Sequence, residues 1–189
     1  MRPYRRALKH LSAYLKTFGA FRGVKFWAKV ELRSFSWRQN LRLRNVPGVS
    51  SPLVLRNTQA DRAIFFQCLV KRQYDFSGFR HFERFKERYR QTLSNGLQPL
   101  ILDGGANIGF ASVWFAVNFP EATILAVEPD AQNFALLKQN VESFKGRVIP
   151  IRAALWHERS NLGISNPSSG AAALRVEPDP SGEIQSVHP

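Results

Sequence analysis

The sequence predicts an α/β fold over its second half, preceded by a basic helical extension. Three observations carry this. From Leu100 onward, apolar runs of strand length alternate with segments of helical periodicity, the pattern of parallel strands joined by right-handed crossovers. The first run ends in Asp103 and turns through Gly104, Gly105 and Gly109, and the second ends in Glu128. The charge is uneven: residues 1–90 carry 21 Lys and Arg against 5 Asp and Glu, a net of +16, whereas residues 91–189 carry 6 against 9, a net of −3. The boundary between the two regimes falls near residue 95. Residues 1–95 read as a basic region of helices and short strands, and residues 96–189 as the α/β part.

The length of 189 residues suits one domain with an extension. An apolar fraction of 44% is ordinary for a chain that builds a core. The one cysteine, Cys68, excludes an intramolecular disulfide and a cysteine-based zinc site, and it fits a reducing, cytoplasmic compartment. It sits in the run Ile64–Val70 and reads as a small core residue. The histidines His10, His81, His157 and His188 show no metal-ligand spacing, so no metal is expected. No apolar run reaches the roughly 18 residues a membrane span requires. Lys16, Arg22, Lys25 and Lys29 interrupt every stretch that could serve as the core of a secretory signal.

The elements follow in order. Tyr4, Leu8, Leu11, Leu15 and Phe18 recur at spacings of four and three, which predicts a helix over 4–18 with that face apolar. A second stretch, Val24 to Phe35, is again rich in aromatics and cations. Residues 1–40 could lie on an anionic membrane surface, making the protein peripheral there, or could pack their apolar stripe on the rest of the chain. Leu41–Arg44 alternates as a short strand, Asn45–Gly48 is a turn, and Leu53–Leu55 is another strand. Asn57 to Asp61 supplies capping residues for a helix through Val70. Phe79, Phe82, Phe85 and Tyr89 line one side of a helix over 79–93, a set suited to a core or to stacking on nucleic-acid bases. Then come a strand at Leu100–Leu102, a helix from about Asn107 to Asn118, a strand at Thr123–Val127, a helix from Ala131 to Phe144 and a strand at Val148–Ile151. Leu162–Ser165 and Ala172–Val176 form a weak hairpin, and the chain from Glu177 reads as loose.

The chemistry concentrates where the first parallel strand turns into its helix, since ligands of such sheets bind beyond the carboxyl ends of the strands. Gly104 and Gly105 allow a tight turn and close approach of a ligand. Gly109 permits close packing of helix on strand. Asn107 suits a helix N-cap and can also face a ligand. The best match to a dinucleotide fingerprint is Gly104-x-Ala106-x-x-Gly109, which lacks the middle glycine. Asp103 directly before the loop would repel a pyrophosphate, which needs backbone N–H groups and a positive helix end. S-adenosylmethionine carries an ammonium and a sulfonium, and carboxylates suit both. Glu128 offers two acceptor oxygens to a ribose diol, a role common to nucleoside ligands.

Ile101-Leu-Asp-Gly-Gly-Ala-Asn-Ile-Gly-Phe110, Ala126-Val-Glu-Pro-Asp130, Asn133-Phe-Ala-Leu-Leu-Lys-Gln-Asn140 and Val148-Ile-Pro-Ile-Arg-Ala-Ala-Leu155 together resemble the FkbM family of S-adenosylmethionine-dependent methyltransferases. The stretch from Leu53 to Asp75 is similar to the region preceding that domain in the family. The resemblance implies a class I, Rossmann-like methyltransferase fold and methyl transfer to an oxygen of a small-molecule or glycan acceptor, by direct displacement at the sulfonium methyl. It places Asp103, Gly105, Asn107 and Gly109 on the methionine side, Glu128 on the ribose and Ala153 at the adenine edge. The family continues through a Lys-Ile-Asp-x-Glu-Gly-like strand that has no counterpart here. The fold is therefore expected to be incomplete at the C-terminus and its activity impaired. The strand at Leu100–Leu102 is expected as an unpaired apolar edge, and no catalytic residue is assigned. A nucleic-acid methyltransferase that uses the basic half, and a non-enzymatic membrane- or partner-binding fragment, are the alternative readings.

Overall fold

The computed structural model describes residues 3–32, 40–166 and 175–187. Helix α1 (Pro3–Glu31) is interrupted at Gly19, whose φ of 76° and ψ of 170° lie outside the helical region and suit a residue without a Cβ. Its two arms fold back on each other. The Trp27 indole N–H donates to the Ala7 carbonyl at 2.7 Å, His10 Nδ1 lies 2.9 Å from the Glu31 carboxylate, and the Tyr14 hydroxyl donates to Glu31 at 3.3 Å. The helix expected over 4–18 and the aromatic stretch after it thus form one helical hairpin. The end of that stretch, residues 33–35, lies outside the described residues.

The inward face differs from the expected one. Leu8 is 62% exposed, whereas Ala7 and Tyr14 are buried. The reason is Tyr14, whose ring packs against Phe65 and Phe66 while its hydroxyl reaches Glu31. One amphipathic side chain with both ends satisfied shifts the inward face toward Ala7 and Tyr14 and leaves Leu8 outside, while Phe18 of the expected stripe still packs on the core. Thr17 ties the hairpin to the next helix by donating to the Val70 carbonyl at 2.8 Å.

Strands β1 (Asn40–Leu43) and β2 (Leu53–Arg56) pair antiparallel around the predicted turn, with Leu41 and Leu43 inward and Arg42 outward. Helix α2 (Gln59–Phe65) is capped by Thr58, whose hydroxyl accepts from Asp61 N–H, and runs on into a π-helical turn over Phe66–Val70. Cys68 is buried and unbridged, as expected of a core residue. Helix α3 (Phe82–Ser94) begins three residues later than the aromatic spacing suggests, and Phe79 stands in solvent before it.

Strands β3 (Leu100–Gly104), β4 (Thr123–Val127) and β5 (Val148–Ile151) form a parallel sheet in that order. Helices α4 (Phe110–Asn118) and α5 (Ala131–Asn140) are the crossovers, α4 packing on β4 and α5 on β5. Ile124, Ala126 and Val148 face the helices and are buried. The other face is open: Leu102, Leu125 and Ile149 lie side by side across the three strands, with Leu102 and Ile149 each 43% exposed. Among the described residues β3 has no strand on its outer side.

The expected hairpin is present as β7 (Asn161–Ile164) against β8 (Val176–Pro178), although residues 172–174 lie outside the described residues. The chain from Glu177, expected to be loose, forms strands within its described residues 177–187. It completes β8, and β9 (Ile184–Val187) joins β7 and the short β6 (Ala154–Leu155) in a mixed sheet of order β6-β9-β7-β8. Leu162 and Ile184, both buried, supply its small core with Ala154. No helix among the described residues is long and apolar enough to cross a membrane.

One apolar core runs from Tyr14 and Phe26 of the hairpin through Leu53, Leu55 and Phe65 to Phe110, Ile124 and Val148. Asn140, fully buried near the end of α5, joins three segments within it. Its Oδ1 accepts from Val54 N–H at 2.6 Å, and its Nδ2 donates to the carbonyls of Val54 and Ile108 at 2.9 and 2.7 Å. Asn140→Ala leaves these buried backbone groups without a partner. At about 1–3 kcal/mol for each unmet group, the variant is expected to lose about 3 kcal/mol or more in urea denaturation. A loss below about 1 kcal/mol would mean that the bridge is dispensable.

Candidate functional site

The residues singled out in the sequence converge at the carboxyl ends of the three parallel strands. Asp103 and Gly104 end β3, and Gly105, Ala106, Asn107 and Gly109 form the loop to α4. Glu128 follows β4, and Ala153 follows β5. Glu128 N–H and Ala153 N–H both donate to the Ile151 carbonyl, at 3.0 and 3.1 Å, which sets the two residues side by side.

The loop alternates its backbone handedness. Gly105, Asn107 and Gly109 have φ of 74°, 52° and 89°. A Cβ on Gly105 would meet nothing within 4 Å, so this position is open to a ligand, whereas one on Gly109 would come within 2.7 Å of Leu137 Cδ1. Gly109 thus serves packing of α4 against α5, and Gly105 serves approach. Gly104 is screened by Leu155, whose Cδ1 would lie 2.4 Å from a Cβ there. The N-cap of α4 is Gly109, not Asn107 as expected, and the helix starts at Phe110. Asn107 sits one turn earlier in a left-handed conformation that asparagine tolerates, and its Oδ1 accepts from Ile108 N–H at 2.8 Å.

The loop's own donors are all engaged. Gly105 and Ala106 N–H both donate to the Val127 carbonyl at 2.9 Å, and Gly109 N–H donates to the Ala106 carbonyl at 2.8 Å. Asn107 N–H donates to Glu128 Oε2 at 2.8 Å. No N–H from Gly105 to Gly109 remains to cradle a phosphate.

Glu128 is buried, and its other oxygen accepts from Asp130 N–H at 2.9 Å and lies 3.4 Å from Asn133 Nδ2. Burial pushes its carboxyl above the ordinary range, and the N–H donors of Asp130 and Asn107 pull it back. Asp103, also buried, accepts from the Ser112 hydroxyl at 2.6 Å. Burial raises its carboxyl too, against the Ser112 hydrogen bond.

Four further residues belong to the site. Ser112 holds Asp103 from the first turn of α4. Asn133, fully buried, accepts from Arg56 Nη2 at 2.7 Å. Arg56 in turn makes a two-point pair with Asp61, its Nε and Nη2 each 2.9 Å from the carboxylate. A polar chain Asp61–Arg56–Asn133–Glu128 therefore connects the basic N-terminal half to the loop. The sequence contains its signals, an Arg ending a strand before a Thr-x-x-Asp helix start and an Asn three residues after Asp130, but spacing alone gives them no common target. Among the described residues no group of three or more His, Cys, Asp and Glu side chains could hold a metal ion.

Comparison with known protein families and with characterised proteins returns no match for this chain. What the site can do is read from its own chemistry: two buried carboxylates, an open glycine Cα and a loop whose N–H groups from Gly105 to Gly109 are all engaged.

The raised carboxyls fix a pH dependence. The native Asp103 carboxyl keeps a proton that the unfolded chain releases. Its contribution is intact below the unfolded pKa of about 4 and is lost as pH rises through the higher native value. Asp103→Asn keeps an acceptor for Ser112 and removes the charge. Thermal melts at a series of pH values upward from about 4 should show the variant gaining on the native protein through the native pKa, then holding level. A gap that is constant or closes with rising pH would contradict the burial of this charge.

Proposed function

We propose that this chain carries the methyl-donor half of a class I, Rossmann-like methyltransferase fold and binds S-adenosylmethionine beyond the ends of β3 and β4. The observation that carries the reading is the loop from Gly105 to Gly109, whose own N–H groups are all engaged and which is flanked by the carboxylates of Asp103 and Glu128. A pyrophosphate needs the reverse. An ammonium and a sulfonium fit beside Asp103 and Glu128, and Gly105 leaves room for the ligand against the backbone. A carboxylate has about four acceptor positions. Glu128 commits two of them to Asn107 and Asp130 N–H and one longer contact to Asn133, so its outer lone pairs can still accept from ribose hydroxyls. Ala153 lies beside Glu128 and is itself buried, so its place at the adenine edge rests on the family resemblance.

When bound, S-adenosylmethionine supplies a methyl group made electrophilic by the sulfonium. The residues of this chain hold and orient it: Asp103 and the loop on the methionine side, and Glu128 on the ribose. The acceptor is a hydroxyl of a small molecule or glycan, a class that rests on the resemblance to the FkbM family in residues 101–155. No residue of this chain is assigned to the acceptor or to removal of its proton.

Calorimetric titration with S-adenosylhomocysteine tests the reading. Saturable binding is expected, with affinity reduced at least about tenfold in Glu128→Gln, as the loss of charge-assisted hydrogen bonds implies. NADH should give no signal. Equal affinity in the native protein and the variant, or preference for the dinucleotide, would remove the assignment.

A further inference from the structure

A cavity lies toward the C-terminal end of α4, away from the glycine loop, where Trp114, Asn118 and Phe119 line it. It measures about 290 Å³ and opens between α3 and the end of α4. Helix α3 has no buried residue in its 13, yet it presents Phe82, Phe85 and Tyr89 to Phe76, Trp114 and Phe119. Ring centroids there are 4.9 Å apart for Phe76 and Phe85, and 5.7 Å apart for both Phe85–Phe119 and Tyr89–Phe119. The helix rests on the domain through rings that leave a gap.

Lys86 and Arg90, one turn apart on α3, also line this gap. Their present partners, Glu83 and Glu87, lie on the exposed side of the same helix at 2.7 and 3.4 Å, and exposed pairs of this kind are easily exchanged. The one acid lining the cavity is Asp75. It accepts from Ser77 N–H at 3.1 Å and lies 3.5 Å from Arg72, so its charge is already compensated. Tyr89 points its hydroxyl at Glu121, 2.9 Å away.

We propose that this aromatic cavity is a binding site for a small amphipathic anion, with a flat ring or short apolar chain between the Phe76, Phe85 and Phe119 rings and a carboxylate or sulfonate on Lys86 and Arg90. Concave, mostly apolar sites with a few convergent charges are the usual form of small-molecule pockets. The site is independent of the methyl-donor loop, and the two can be tested separately.

The probe is 2-naphthoate, with neutral 2-naphthamide as its uncharged counterpart, added to the full chain and followed by ¹⁵N–¹H NMR. Naphthoate should shift the Trp114 indole and Tyr89 amide signals saturably, while the Trp156 indole and the Gly105 amide stay in place. The amide should bind at least about fivefold more weakly, as should naphthoate to a Lys86→Gln/Arg90→Gln variant. Phe85→Ala should weaken binding about tenfold. Phe85→Leu, which keeps bulk if the alanine variant unfolds, should weaken it less. Leu102→Ser on the open sheet face should leave binding unchanged. Shifts that do not saturate, equal binding of acid and amide, or loss of binding in Leu102→Ser in place of Phe85→Ala would each overturn the proposal.

Discussion

The buried carboxylate of Glu128 is the point on which the site depends. It lies just past the end of β4 and holds three backbone and side-chain donors from three places: the glycine loop, the turn into α5, and α5 itself. A carboxylate out of water is costly unless its lone pairs are met. Here the cost is offset by N–H groups that would otherwise point outward from the loop. One charge therefore does two things. It fixes a loop with three left-handed residues in one conformation, and it replaces a potential anion cradle with negative potential. The proposed preference for S-adenosylmethionine rests on where the loop's donors are spent.

The same carboxylate makes the two halves of the chain interdependent. Through Asn133 and Arg56 it reaches Asp61 at the start of α2, and Asn140, two helical turns beyond Asn133, holds β2 to the segment before α4. The basic N-terminal half is not a loose appendage, since Tyr14, Phe65 and Phe110 share one core. Among the described residues, the far face of the parallel sheet stays uncovered. Parallel sheets are normally covered on both faces, and a row of Leu102, Leu125 and Ile149 beside a β3 edge that no described strand pairs is a surface prone to strand addition.

The α/β part was legible because its signals are local. Asp103, the loop glycines and Glu128 stand at strand ends that apolar runs mark without ambiguity, and each is found there. Where sequence reading erred, a tertiary contact overrode a local preference. Leu8 belongs to the apolar stripe of its helix, but Tyr14, bonded to Glu31 across the hairpin, takes the inward position and leaves Leu8 in solvent, while Phe18 of the same stripe still packs on the core. Asn107 has the chemistry of an N-cap, but the demand of Glu128 for its N–H holds it a turn ahead of the helix. The order from Glu177 onward depends on β9 finding β6 and β7, a pairing that no local pattern announces. Arg56 and Asn133 are silent for the same reason: their partners are 77 residues apart in the chain.

In the proposed complex Glu128 keeps its hydrogen bonds from Asn107 and Asp130 N–H and turns its remaining lone pairs to a ribose. A crystal structure of the chain grown with S-adenosylhomocysteine tests this most directly. Both ribose hydroxyls are expected within hydrogen-bond distance of the Glu128 carboxylate, with Asn107 and Asp130 N–H still donating to it and the ligand backbone lying over Gly105. A nucleoside bound elsewhere, or a loop that has released Glu128 and turned its N–H groups toward the ligand, would contradict it.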